Sequence, residues 1–240
     1  IPKEWQAIAI SRVAEVYLSG VDKHTREDER SVRLCNYTHV YEHDRIGPWL
    51  AFTEGTATSD ETRRFCLRRN DVLVTKDSED SGDIAKPSFV EQDMPDVVCG
   101  YHLAVLRASS QRMSGRYLSF ALRAAAVRRD FQRHANGVTR YGLGLGAFSK
   151  VPVAVPPREE QAKIEQVLSA HESAVELTSE LLNAKRLQKK ELQEQLVTGK
   201  ARLTCSQRAT TVVPTRLGTM PEDWREIRLG QAFGKRTERT

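Results

Sequence analysis

Cysteine is scarce. Four thiols in 240 residues, Cys35, Cys66, Cys99 and Cys205, are widely scattered with no CxxC pair, which excludes a zinc knuckle and a disulfide framework and fits a reducing cytoplasm. Long hydrophobic runs are missing: none approaches the roughly 18 residues that span a bilayer, and no signal peptide is visible, so no membrane association is expected. Walker A, Gly-x-Ser-x-Gly and HExxH sequences are lacking, and so is the Asp/Asn-Pro-Pro-Tyr/Phe signature of adenine methyltransferases. The chain therefore reads as non-catalytic, with no cofactor. Neither sign of charge dominates either: the net charge is +5, weak evidence for nucleic acid when taken alone.

Pro and Gly are absent from one long stretch, and that absence is the most informative. Between Arg158 and Val197 neither occurs, and a helix of that extent is about 60 Å long, far beyond an ordinary globular helix. Pro156-Pro157 stop a strand and pre-set the first helical turn, and Gly199 suits the position just after the helix end. Glutamates 159, 160, 165, 172, 176 and 180 crowd the N-terminal half, and Lys185, Arg186, Lys189 and Lys190 crowd the C-terminal half, an order that complements the helix dipole. Heptad positions place Leu168, Val175, Leu182, Lys189 and Leu196 on one row and Ile164, His171, Thr178, Lys185 and Leu192 on the other. The seam is impure, so the expectation is a spacer helix that pairs with a similar helix, or partly with its own domain, through Ile164, Leu168, His171, Val175, Leu182, Leu192 and Leu196.

Ahead of the helix, the text from Val13 to Gly100 reads as short strands broken by polar turns. Strands are expected at Ser31 to Asn36, Arg64 to Arg68, Asp71 to Thr75 and Val97 to Leu106. The fold class expected is α+β: a mixed domain followed by one long coiled-coil-forming helix. The loops at residues 19–26 and 75–83 carry Gly, Ser and Asp and offer Lys23, His24, Lys76 and Ser78 as ligand contacts. Ser114 is a cap for a helix running to about Arg133, whose Tyr117, Phe120, Ala124, Val127 and Phe131 form one apolar stripe.

Basic charge is concentrated rather than spread. Between Arg107 and Arg140 there are eight arginines against a single acid, Asp130, and guanidinium groups bind phosphate and read guanine. Arg128, Arg129 and Arg133 on the helix are candidates for DNA contact, as are Thr139, Arg140 and Tyr141 after the flexible Gly137. For any one arginine a solvated helix face is the plainer reading; the set points to nucleic acid. Cys35, His39 and His43 are evenly spaced but lack a fourth ligand, so ordinary packing is expected there.

The beginning and end of the chain repeat each other. Ile1 to Ile10 aligns without gaps on Met220 to Leu229, with Pro, Trp and Ile recurring. Pro156-Pro157-Arg158-Glu159-Glu160-Gln161 entering a long helix that ends Gln195-Leu196-Val197-Thr198-Gly199-Lys200 resembles the conserved helical region of the specificity subunit of type I restriction-modification enzymes. Residues 137–145 and 32–37 resemble segments of that family's target-recognition domains. The resemblance implies a target-recognition domain at 1–155 reading one half of a bipartite double-stranded DNA site, a spacer or dimerisation helix at 156–200, a linker at 201–219 and the opening of a second repeat at 220–240. It also implies modification and restriction subunits as partners, and a homodimer through the helix if the chain is natural at this length. Starting at Ile1 rather than Met, the chain reads as a fragment or a processed product. Two alternatives stay open: a methyltransferase module binding S-adenosylmethionine at the Gly142 to Gly146 loop, which is followed by an extended segment, and a coiled-coil adaptor without a DNA role.

Overall fold

The structure is a computed structural model that describes residues 2–109, 111–203 and 211–233; Cys205 and most of the expected linker up to residue 210 lie outside them. It divides into two compact units, residues 1–169 and 170–240.

In chain order the elements are β1 (Gln6–Ala9), β2 (Ala14–Leu18), β3 (Arg30–Cys35), α1 (Tyr37–Glu42), β4 (Arg45–Ile46), β5 (Thr53–Ala57), α2 (Ser59–Phe65), β6 (Cys66–Leu67), β7 (Asp71–Thr75), β8 (Asp77–Ser78), β9 (Pro87–Val90), β10 (Met94–Cys99), β11 (Leu103–Ala108), α3 (Gly115–Leu122), α4 (Ala125–His134), β12 (Tyr141–Gly142), α5 (Leu145–Lys150), β13 (Pro152–Val155), α6 (Arg158–Val197), β14 (Val212–Thr215), β15 (Gly218–Pro221) and α7 (Leu229–Ala232). The architecture is mixed α+β with one long helix.

The first unit is layered about a five-stranded sheet ordered β2-β11-β7-β9-β4, beside a four-stranded sheet ordered β5-β3-β10-β6. Its two central strands face apolar surroundings on both sides. Val72 and Val74 of β7, with Ala104 and Leu106 of β11, enter the core shared with α3, α4 and α5. Leu73, Leu103 and Val105 enter the core shared with the four-stranded sheet. A strand buried on both faces has no polar side to show, so its sequence runs apolar without alternation.

Several expected boundaries move. The run from Val97 to Leu106 is two strands, β10 and β11, separated by a turn at Gly100 to His102; the apolar stretches on either side hid the turn. Arg64 and Phe65 end α2, whose Thr58 and Glu61 form a reciprocal cap, and only Cys66 and Leu67 of that expected strand are extended. Ser114 does cap a helix, accepting from the Arg116 and Tyr117 amides. That helix stops at Leu122, however, and Ala124 is extended and exposed, so the stripe breaks: Leu118 and Leu122 are buried in its place. No Pro or Gly marks the junction, where Arg123 reaches Asp44 at 3.2 Å. The segment expected to be extended after Gly146 is the helix α5.

The entry to α6 explains the residues around the double proline. Gln161 is 1% exposed, and both ends of its amide are used. Its Oε1 accepts from the Ser114 amide and the Arg158 guanidinium, each at 3.1 Å, and its Nε2 donates to Pro156 O at 2.9 Å and Arg112 O at 3.0 Å. Trp5 Nε1 donates to Glu160 Oε2 at 2.9 Å, and β1 pairs antiparallel with β13 immediately before the prolines. The first turn of α6 is thereby locked to the domain by hydrogen bonds.

In the second unit α6 runs on to Val197, and Gly199, at φ +73, takes the left-handed position expected of it. Residues 212–221, part of them expected as linker, instead form the β14–β15 hairpin. The amide of Trp224 donates to Pro221 O at 3.0 Å, as that of Trp5 does to Pro2 O at 3.1 Å: the two copies of the repeat make the same turn.

Candidate nucleic-acid interface

Antiparallel pairing decides which loops meet. Thr75, at the end of β7, lies opposite Leu103, at the start of β11, and Ser19, just past β2, donates to Leu103 O at 3.0 Å. The loops after β2, after β7 and before β11 therefore share one end of the five-stranded sheet. Backbone bonds tie them together: Tyr101 N donates to Val21 O at 2.8 Å, and Lys76 N to His102 O at 3.0 Å. The segment after α4 joins them, since Leu143 N donates to Lys76 O at 2.7 Å and β12 pairs with β8.

That fourth segment is a finger. Asn136 and Gly142 exchange amide bonds of 2.9 and 2.8 Å across its base. Gly137, at φ +129, permits the turn, because a Cβ there would stand 1.9 Å from Arg140 O. At its tip Val138 is 89% exposed, with Thr139 and Arg140 exposed beside it. Opposite lies the β10–β11 turn with Tyr101 half exposed and its ring centroid 3.8 Å from that of His102.

His102 and Arg140, with Tyr37, Tyr41, Asp77, Glu79, Asp80 and Asp83, line a cavity of about 420 Å³. A hydrogen bond to Asp83 raises the Tyr41 phenol above its ordinary value. Burial works to raise the Asp77 carboxyl, but hydrogen bonds from Lys76 and His102 outweigh it and hold the group below the usual carboxylate range. The carboxylates in the cavity's lining repel phosphate and favour hydrogen-bond donors.

The expected contact residues separate into presented and committed. Thr139 and Arg140 are exposed at this end of the sheet, and Lys23 and His24 are exposed farther along the loop after β2, where His24 O accepts from Thr56. Lys76 is committed: its Nζ lies 2.7 Å from Asp77 Oδ2 and 5.1 Å from the Tyr101 ring centre. Ser78 is buried, its hydroxyl accepting from the Asp80 amide, and Tyr141 packs against the domain core; both anchor the loops. Arg128 donates to Gly82 O at 2.9 Å, so it braces the 75–83 loop. Arg129 and Arg133 are exposed on α4, Arg133 paired with Asp130 at 2.9 Å.

The eight arginines do not form one surface. Arg107 is held inside the fold by Asp71 at 3.3 Å and Cys66 O at 2.9 Å. Arg112 donates to Arg12 O, and Arg116 to Ser169 Oγ while stacking on Phe89 and Phe120. A count along the sequence cannot tell a brace from a reader. Conversely Tyr101, His102, Asp77 and Val138 were missed. The signal was the Gly100-Tyr101-His102 sequence interrupting an apolar run. The His39 ring is engaged by the backbone: its Nδ1 accepts from the Asn36 amide and its Nε2 lies 3.1 Å from Ala51 O.

On α6, Ile164 packs against the core of the first unit and is not left for pairing. Leu168, His171, Val175, Leu182 and Leu192 are exposed and Leu196 is half-buried. Val167, Leu177, Leu181 and Leu187 are exposed as well, so the uncovered apolar surface is broader than the heptad rows.

Comparison with known proteins sets this geometry in a family. The model of the type I restriction modification DNA specificity domain matches residues 2–185. A protein of Methanocaldococcus jannaschii, provisionally named as the type I restriction enzyme MjaX specificity subunit, is 20% identical over 231 residues, covering 96% of this chain and 53% of the relative. The chain thus spans about half the length of the curated relative it matches. In fold it is similar to the S subunit of a type I restriction-modification system from M. genitalium, with TM-score 0.52 and 12% identity over 80% of this chain and 45% of that one. A chain from a structure of the assembly and conformational transition of the type I R-M system gives TM-score 0.56 at 14% identity, covering 80% and 44%. The chain belongs to the type I restriction modification DNA specificity domain family.

Proposed function

We propose that this chain supplies sequence specificity to a type I restriction-modification system. Its recognition domain, residues 1–155, reads one half of a bipartite double-stranded DNA target; the helix at 156–200 sets the distance to a second reader; residues 220–240 open a second repeat. The chain is not itself a catalyst. Modification subunits, which methylate, and a restriction subunit, which cleaves, assemble around it in the cytoplasm. Where two copies pair through α6, the site read is symmetric.

The observation that carries this reading is the meeting of four loops at one end of the five-stranded sheet, with Tyr101, Thr139 and Arg140 outward and the supporting contacts turned in. Readers held on a rigid scaffold suit base recognition. The 40-residue helix, about 60 Å long, exceeds the roughly 34 Å of one turn of DNA that separates adjacent half-sites.

The test is co-purification of the chain with a type I modification subunit, followed by methylation of a randomised DNA library. Methylation next to one recurrent motif is expected. A folded chain that forms no such complex and biases no sequence overturns the proposal.

A further inference from the structure

One set of contacts at the proposed interface joins residues distant in sequence. His102 stands at φ +70, a left-handed backbone that is uncommon outside glycine and that His and Asn enter more readily than most residues. Its imidazole bridges two charged groups. Nδ1 lies 2.6 Å from Asp77 Oδ2, and Nε2 lies 3.3 Å from Arg140 Nη2. An ionised carboxylate only accepts and a guanidinium only donates. One tautomer satisfies both: Nδ1–H donates to Asp77, and the bare Nε2 accepts from Arg140.

Each end of this relay is fixed. The Asp77 carboxylate also receives Lys76 Nζ at 2.7 Å, and Gly142 pairs with Asp77 across the β8–β12 ladder. The finger that carries Arg140 is closed by the Asn136–Gly142 exchange. Arginine has five N–H donors in a planar fork, and the contact with His102 spends one of them. Held at that edge, the fork has a set orientation without being used up.

We propose that the Asp77–His102–Arg140 relay positions Arg140 to read a guanine of the DNA half-site bidentately at O6 and N7. The inference rests on the proposed function. Arg140 is the reader and His102 a positioning residue. Ordering the guanidinium before binding removes part of the entropy cost of docking a long side chain.

The test uses the full chain assembled with a modification subunit and a randomised DNA library, comparing wild type with R140A, R140K, H102N and H102N/R140A. Asparagine tolerates the left-handed backbone but is too short to span from Asp77 to Arg140, so the thermal midpoint is expected to hold. Wild type should enrich a motif with guanine at one position. R140A should lower discrimination at that position by about tenfold or more, leaving the others intact. R140K, which keeps the charge but not the fork, should fail there equally and tests the fork without touching His102. H102N should lower discrimination several-fold at the same position only, and the double variant should be no worse than R140A, because both changes remove one function. A motif unchanged in H102N, effects of the two residues that add, or preference at that position retained in R140K would overturn the relay while leaving DNA reading in place. A wild type that enriches no motif removes DNA reading and the relay with it.

Discussion

Apolar side chains meet opposite fates in the two units. In the first, Leu103, Val105 and Phe131 are fully covered, whereas Val175 is 66% exposed, Leu182 50% and Leu192 51% on α6 in the second. The first unit has layers that close over one another. The second carries most of α6, along which Val175, Leu177, Leu181, Leu182, Leu187 and Leu192 find no cover among the described residues. A domain that covers its own core can spend its loops on recognition. A helix that leaves leucines in water offers apolar surface for the pairing proposed above.

The largest effect expected is on the covered side. Phe131 is fully buried, with its ring centroid 5.4 Å from that of Phe148; Phe131→Ala should cost about 3–5 kcal/mol, read by urea unfolding of the first unit. A loss below about 1 kcal/mol would mean that this core is not closed as described.

Next in size is a pH dependence. Asp71 is 2% exposed, and burial pushes its carboxyl up to about 6, against the pull of Arg107. A carboxyl whose folded value exceeds its unfolded one stabilises the fold while protonated. That contribution is full below pH about 4 and is lost as pH rises through about 6. The stability of the wild type relative to Asp71→Asn should therefore fall by up to about 3 kcal/mol across that window and level off above it, as followed by urea unfolding at stepped pH. A relative stability that rises with pH would show that Arg107 prevails over burial.

The smallest effect on folding is expected on the uncovered side, where it sharpens the contrast. Leu182→Ala should change the unfolding free energy of the dilute chain by no more than about 0.5 kcal/mol, yet weaken self-association measured by sedimentation. A large loss of stability with association unchanged would place Leu182 in a core of the chain's own.

The helix was legible because its signals are local: no Pro or Gly, charges ordered along the dipole, a proline pair before it and Gly199 after. Ser114 and Asp71 to Thr75 were legible for the same reason. What escaped depends on pairing between distant segments. The turn at Gly100 to His102 lay between two short apolar runs, the second of them buried on both faces of β11. The sorting of arginines into braces and readers depended on partners such as Asp71, Gly82 O and Ser169. His102 could be connected with Arg140 only through the β8–β12 pairing, which spans two residues of each strand.

The most direct test of the division between a reading unit and a pairing helix is hydrogen exchange, followed by mass spectrometry, on the chain assembled with a modification subunit, with and without its target DNA. DNA is expected to slow exchange in peptides covering residues 19–26, 99–103 and 136–143 and to leave residues 170–197 unchanged. Protection by DNA along residues 170–197, with the three loops unaffected, would contradict it.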